Sequence, residues 1–143
     1  MKTMKKILEE HPRALLTVSP DDSVFSALEL MAKHEIGAVL AMRDGVLAGI
    51  FSERDYARKV ILLGKSSRET LVREIMTEKV LYVLPEQTTD QAMALMTDKH
   101  VRHLPVLDAN QRVIGVVSIG DLVKETISEQ AFLIKQLEQY IAS

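Results

Sequence analysis

The sequence predicts an α/β (α+β) fold built from two pseudo-symmetric copies of one β-α-β-β-α unit, with an extra helix at each end of the chain. Two observations lead to this prediction. A stretch that runs from a hydrophobic strand into a Ser and, three residues later, an Asp occurs twice, at 49–55 and at 115–121. Before each copy, apolar residues at helical spacing and short strand-like runs follow in the same order. A repeated order of elements indicates a duplicated unit.

Length and composition bound the class of protein. The 143 residues suffice for one compact domain or for two small units that share a core. Hydrophobic residues at 47% and a net charge of −2 are ordinary for a soluble protein and provide no basic field for nucleic acid or anionic membrane. No run approaches the ~18 apolar residues of a membrane span, and no signal peptide is evident. We therefore expect a cytoplasmic protein that binds neither nucleic acid nor membrane.

The first repeat is predicted to span residues 17–64, after an N-terminal helix or arm over 1–16. Helical spacing, capping residues and turn residues divide this part of the chain. The predicted elements are a short helix or turn over 1–11, a strand over 15–18, a helix over 24–34 that Ser23 caps and Gly37 ends, a hairpin of strands over 38–42 and 46–51, and a helix that starts at Ser52 and runs through Ile61.

The second repeat is predicted to span residues 80–127, after a connector over 65–79 whose first part continues a polar stretch over 62–71. Pro85 follows Pro20 by 65 positions, whereas Gly115 follows Gly49 by 66, so the one added residue lies in the hairpin turn. Thr88 and Gln91 form a second capping box. The last segment, 128–143, is predicted to be a helix that packs back on its domain or on another chain. Its apolar face carries Leu133, Ile134, Leu137, Tyr140 and Ile141.

The repeated Ser-x-x-Asp motif has a structural and a functional interpretation. In a helix start, the Ser hydroxyl accepts a backbone N–H and the Asp carboxylate reaches back to the chain. Ser52 and Ser118 cap their helices under either interpretation. The same geometry also suits a ligand, because a helix N-terminus favours an anionic group and a fixed carboxylate can accept hydrogen bonds from two ribose hydroxyls. Asp55 and Asp121 are therefore candidate ligand-binding residues.

With the repeat and the motif established, residues 17–127 resemble a tandem pair of CBS domains, the module named for cystathionine β-synthase and also called a Bateman module. Further stretches carry the resemblance: Glu74 to Thr77 before the second repeat, Val101 to Val106 within it, and Ser52 to Asp55 in the first. The chain is similar to stand-alone CBS-domain proteins. The resemblance implies two clefts that bind adenosine-containing ligands, here AMP, ADP, ATP or NAD.

In this family each cleft takes residues from both repeats. Carried over by position, the resemblance implies one cleft that joins Ser52, Arg54 and Asp55 to Thr77, Val101, Arg102 and His103. It implies a second cleft that joins Ser118 and Asp121 to Ile36, Gly37 and Ala38. The first cleft holds more positive charge for a phosphate.

The sequence leaves three classes of function open. We favour an adenine-nucleotide-binding regulatory or sensor module that forms a homodimer and signals to an unknown regulated protein, since no output domain is evident. The alternative is a protein-interaction scaffold whose clefts are unoccupied. An enzyme is disfavoured because no nucleophile with a base, and no acid–base pair, stands out. A metal site is not expected, because His100 and His103 lack a third ligand nearby and the chain has no Cys.

Overall fold

The structure, a computed structural model, describes residues 1–142, which divide into two compact units. The first-repeat unit is Ala14–Val80. The second-repeat unit combines Met1–Arg13 with the chain from Leu81 onward. Each unit contains one copy of the Ser-x-x-Asp motif. Within residues 1–142, no helix combines the length and the apolar character needed to cross a bilayer.

A three-stranded sheet forms the centre of the first-repeat unit. Strand β1 pairs in parallel with β2, and β2 pairs antiparallel with β3. The buried residues around this sheet form one cluster that includes Phe51, Val60 and Val72, each 0% exposed. The elements are β1 (Thr17–Val18), α2 (Val24–His34), β2 (Ala38–Arg43), β3 (Val46–Ser52), α3 (Glu53–Tyr56) with a π-helical turn (Ala57–Ile61), and α4 (Val72–Ile75).

The second-repeat unit follows the same order around a two-stranded sheet. Strands β4 and β5 form an antiparallel hairpin, and the predicted first strand is reduced to a parallel bridge between Val83 and Val106. The predicted β-α-β-β-α order is therefore confirmed, with this strand shortened. The elements are α1 (Met4–Glu10), α5 (Thr89–Lys99), β4 (His103–Leu107), β5 (Val113–Ser118) and α6 (Ile119–Ala142).

The helix that precedes each repeat belongs to the core of the other one. Met4 and Ile7 of α1 are 0% and 4% exposed within the second-repeat core, and the backbone N–H of Met4 donates to the Gln87 carbonyl at 2.8 Å. Val72 and Ile75 of α4 lie in the first-repeat core. The predicted connector over 65–79 thus contains α4, whose two apolar side chains pack in the first-repeat core.

Local hydrogen bonds start the helices as the sequence predicts. Ser23 accepts from the N–H of Ser26 at 3.0 Å, and Thr88 forms a capping box with Gln91. The predicted span of α2, 24–34, matches the structure, but Glu35 ends the helix and not Gly37. Glu35 adopts a left-handed conformation with φ of 53°, and its N–H donates to the carbonyls of Met31 and Ala32. His100 ends α5 in the same way.

Two further helix boundaries differ from prediction. The helix that Ser52 starts changes to π-helical hydrogen bonding at Ala57. The boundary placed between 127 and 128 does not interrupt the helix, because α6 continues from Ile119 to Ala142. Residues 130–142 of α6 are all exposed.

Candidate functional site

Both copies of the motif lie where a strand passes into a helix. At the end of β3, the N–H of Ser52 donates to Oδ2 of Asp55 at 2.9 Å, and the Ser52 hydroxyl donates to the same oxygen at 3.1 Å. The N–H of Asp55 donates back to the Ser52 hydroxyl at 3.2 Å. This reciprocal pair is the capping box that the spacing predicts. It holds the Asp55 carboxylate in one position.

The second junction repeats this geometry at the end of β5. The N–H of Ser118 donates to Oδ2 of Asp121 at 2.9 Å, and the N–H of Asp121 donates to the Ser118 hydroxyl at 3.2 Å. The side chains of Asp55 and Asp121 are 13% and 19% exposed. Each carboxylate is therefore largely buried and fixed by the backbone while part of it faces solvent.

The glycine that begins each motif allows another segment to approach the strand. A Cβ at Gly49 would lie 2.6 Å from the Met76 sulfur and 2.9 Å from the Thr77 carbonyl oxygen. Thr77 and Ile50 exchange two backbone hydrogen bonds, at 2.9 and 3.0 Å. Thr77 thus lies beside β3, paired with Ile50, which precedes Ser52 by two residues. The structure brings this predicted site residue into the same unit as Ser52 and Asp55.

The helix-to-strand junctions lie beside the motif of their own repeat. Ala38 is opposite Ser52 in the β2–β3 ladder, and the N–H of Glu53 donates to the Gly37 carbonyl at 3.0 Å. In the second repeat, His103 is opposite Ser118, and the N–H of Ile119 donates to the Arg102 carbonyl at 2.8 Å.

By resemblance, each cleft is predicted to join the motif of one repeat to the helix-to-strand junction of the other repeat. The contacts described above all lie within one unit, so this pairing of residues from two repeats stays a prediction. Ile36 and Val101, the first residues of the two junctions, are half-buried, and each donates its N–H to a methionine carbonyl of the preceding helix. Arg54 and Arg102 are exposed.

A cation contacts the second oxygen of each motif carboxylate. Lys59 Nζ lies 3.3 Å from Oδ1 of Asp55 and donates to the Ile75 carbonyl at 3.1 Å. In the second repeat, Nη2 of Arg13 donates to Oδ1 of Asp121 at 2.5 Å. Burial raises the pKa of Asp121, but the hydrogen bonds from Ser118 and Arg13 outweigh it and hold the pKa below its ordinary value. Both carboxylates are thus charge-paired within their own unit.

The two cations come from different places because the repeats differ at one position. The shift of 66 that relates Ser52 to Ser118 places Glu125 where the first repeat has Lys59. Glu125 is 7% exposed and pairs with Lys2 at 2.6 Å. A helix-borne lysine is therefore missing next to Asp121, and Arg13 from the segment before β1 takes that role.

Lys2 contacts two members of a cluster of possible metal ligands. Glu10, His11 and Glu125 offer ligand atoms that all lie within 4.8 Å of one another. The Lys2 ammonium is 2.6 Å from carboxylate oxygens of both Glu10 and Glu125. These hydrogen bonds raise the pKa of Lys2 and lower that of Glu10. The lysine supplies the positive charge that the two carboxylates need.

Sequence reasoning missed both cations at the motif carboxylates. Lys59 could have been found, because it follows Asp55 by four residues on a helix, the spacing of a common ion pair. Arg13 gives no such signal, because 108 residues separate it from Asp121. The histidines considered as a metal pair have separate structural positions, since His100 ends α5 and His103 lies within β4.

Known proteins of similar sequence and structure identify the family. The sequence is 43% identical over 131 residues to the mitochondrial CBS domain-containing protein CBSX3 of Arabidopsis thaliana, covering 88% of this chain and 63% of that protein. A protein with CBS domains from Burkholderia ambifaria MC40-6 has a structure with a TM-score of 0.86 at 52% identity, covering 90% of this chain and 96% of that one. CBSX2 in complex with AMP has the same fold at 24% identity, with a TM-score of 0.74, covering 91% and 99%. The family model of the CBS domain matches residues 8–61 and 72–128, so the chain belongs to the CBS domain family and carries two such domains.

Proposed function

We propose that this chain is a regulatory module that binds an adenine nucleotide and passes the state of its ligand to a partner protein. The observation that carries the proposal is the pair of fixed carboxylates, Asp55 and Asp121. Each is held by the same two backbone hydrogen bonds at a strand-to-helix junction. A duplicated carboxylate in an identical local frame is expected if each repeat binds the same kind of chemical group.

A nucleoside suits this frame for two reasons. An ionised carboxylate accepts but does not donate hydrogen bonds, and the 2′- and 3′-hydroxyls of a ribose are adjacent donors. The side chains of Asp55 and Asp121 are only 13% and 19% exposed, and hydrogen bonds gain strength where water is partly excluded. AMP is bound by CBSX2, which shares the fold. AMP, ADP, ATP and NAD remain the proposed ligands.

A scaffold with unoccupied clefts is the alternative. It would bind partners through its surface and have no affinity for nucleotides. Protein purified without added ligand and then denatured distinguishes the two, because a bound adenine nucleotide is released and absorbs at 260 nm. The regulatory module predicts such release or a measurable affinity for added AMP, whereas the scaffold predicts neither.

Replacing the carboxylates tests the ribose assignment. Asp55→Ala and Asp121→Ala each remove a charged acceptor of two hydroxyl groups, and hydrogen bonds to a charged group contribute roughly 1.5–3 kcal/mol. We expect AMP affinity at the altered site to fall about ten- to a hundredfold by isothermal titration calorimetry. Asp90→Ala is the matched control, because Asp90 also lies in the first turn of a helix but outside the motif. Unchanged affinity of both sites in both variants would refute the assignment.

We also propose that the chain forms a homodimer to which α6 contributes. Leu133, Ile134 and Leu137 of this helix are 57–59% exposed, and Tyr140 and Ile141 are more than 80% exposed. They share one helix face because they lie at positions i, i+1, i+4, i+7 and i+8, so that each is three or four residues from another member. A stable interface buries about 800 Å² per partner, which usually involves roughly 20–30 residues a side. The second copy would therefore cover this face as one part of a larger contact.

The cytoplasmic location stays a prediction from composition. CBSX3, the plant relative, is a mitochondrial protein by name. This chain spans 63% of the length of CBSX3.

A further inference from the structure

Asp121 has one oxygen bound to the backbone and the other bound to a side chain that lies far away in the sequence. Oδ2 accepts the Ser118 N–H, whereas Oδ1 accepts the guanidinium of Arg13. A ribose that binds this carboxylate through two hydroxyls needs acceptor positions that the backbone has not taken. Oδ2 is bound to the backbone and Oδ1 to Arg13, so Arg13 takes the acceptor position that a ribose would need.

The Arg13 side chain can leave this position without exposing a core. It is 59% exposed, and residues 11–15 are all exposed. Water solvates a displaced guanidinium, whereas Asp121 is 19% exposed and depends on a hydrogen-bond donor within the site. Exchange of Arg13 for a ribose therefore replaces one donor to Asp121 by another. Because the ligand must first break the Arg13–Asp121 pair, the stabilisation that this pair provides weakens ligand binding by the same amount.

The first repeat shows that a cation on the motif carboxylate is a recurring feature of this chain. Lys59 contacts Oδ1 of Asp55, the corresponding oxygen. Its 3.3 Å contact is longer than that of Arg13, and the same ammonium also binds the Ile75 carbonyl. The carboxylate of the second repeat thus has the shorter contact, made by a residue that is not attached to its own helix.

We infer that Arg13 is an affinity-setting residue of the second repeat, which competes with the ligand's ribose for Asp121 and leaves the carboxylate when a nucleoside binds. The inference rests on the proposed function, because it assumes that Asp121 binds a ribose. It adds a consequence that the proposed function alone does not have: loss of Arg13 strengthens nucleoside binding.

Adenosine is the appropriate probe, because it lacks the phosphate that a free arginine could also attract. The test uses the full chain with Asp55→Ala, in which Asp121 is the remaining motif carboxylate. Adding Arg13→Ala should tighten adenosine binding about two- to fivefold in calorimetry, the range of a partly exposed ion pair. Arg13→Lys keeps the charge, so it should bind adenosine almost as weakly as the chain that carries Asp55→Ala alone.

Salt gives a second, independent readout. Added salt screens the Arg13–Asp121 pair but has little direct effect on a neutral ligand. Adenosine affinity should therefore rise with salt when Arg13 is present and stay flat in Arg13→Ala. Arg43→Ala is the matched control, because it removes another exposed arginine–aspartate pair, with Asp21, outside the motif.

The outcomes separate the inference from the proposed function. Unchanged or weaker adenosine binding in Arg13→Ala would overturn the inference while leaving nucleoside binding intact. Absence of adenosine binding in both chains while AMP still binds would overturn the inference alone. If neither adenosine nor AMP binds the wild-type chain or Arg13→Ala at any salt concentration, the proposed function fails together with the inference.

Discussion

Gly49 and Gly115 have the same place in the motif but meet different neighbours. At Gly49 an added Cβ would lie 2.9 Å from the backbone oxygen of Thr77, a group held by two hydrogen bonds to Ile50. At Gly115 the nearest atoms, at 2.6 and 2.9 Å, are the two methyl groups of Leu8. A side chain can rotate away, whereas a paired backbone segment cannot without losing its hydrogen bonds.

We therefore predict that Gly49→Ala destabilises the protein more than Gly115→Ala. Overpacking against a fixed neighbour costs about 1–3 kcal/mol, and the loss should appear as a lower midpoint in urea unfolding. Gly120→Ala is the control, because its Cβ would meet Ser118 at an ordinary 3.6 Å, and Ala is favoured over Gly in a helix. Equal losses for Gly49→Ala and Gly120→Ala would contradict this account of the motif glycine.

Among the elements, α1 has a structural role that its sequence does not indicate. The sequence predicts only a short helix or turn over 1–11 and does not indicate which repeat it contacts. In the structure, α1 contributes Met4 and Ile7 to the second-repeat core, and its backbone bonds to Pro85 and Gln87. The helix is thus part of the unit whose other residues begin at position 81.

Shortening a buried side chain of α1 should therefore destabilise the second-repeat unit. Ile7→Ala leaves a cavity in a core where Ile7 is 4% exposed, and such changes cost about 2–5 kcal/mol. Thermal unfolding followed by circular dichroism should show a clearly lower Tm. Lys5→Ala, at an exposed position of the same helix, should leave the Tm almost unchanged. A Tm for Ile7→Ala equal to that of Lys5→Ala would show that α1 is dispensable.

For the molecule as a whole, the last part of α6 carries a stripe of exposed apolar side chains. The helix continues to Ala142, and every residue from 130 to 142 is exposed. Exposed apolar stripes of this kind usually mark an interaction site. In a twofold dimer each side chain of the stripe is buried twice, once in each copy.

A charge placed on this stripe should therefore dissociate the proposed homodimer. Burying a Leu contributes roughly 1.5–3 kcal/mol, so Leu137→Glu, counted in both copies, should weaken association at least a hundredfold. Sedimentation equilibrium measures this directly. Gln139→Glu introduces the same charge on the opposite face of the helix and should leave association unchanged. Equal dimerisation of the two variants would show that α6 does not contribute.

Local hydrogen bonding explains why much of the motif could be predicted from the sequence. A cap joins residues three positions apart, so Ser52 with Asp55, and Thr88 with Gln91, can be recognised from their spacing alone. The prediction for Gly37 failed because it relied on residue type, whereas Glu35 adopts the left-handed conformation and ends α2.

The sequence by itself determined the duplicated β-α-β-β-α order, the capped helix starts and the positions of Asp55 and Asp121, because each depends on neighbours within a few residues. The tertiary structure alone decided that α1 joins the second-repeat core and that Arg13 pairs with Asp121. These pairings join residues about 80 to 108 positions apart. Which distant partner satisfies a buried side chain or a fixed carboxylate depends on how the whole chain packs, and no local spacing encodes that choice.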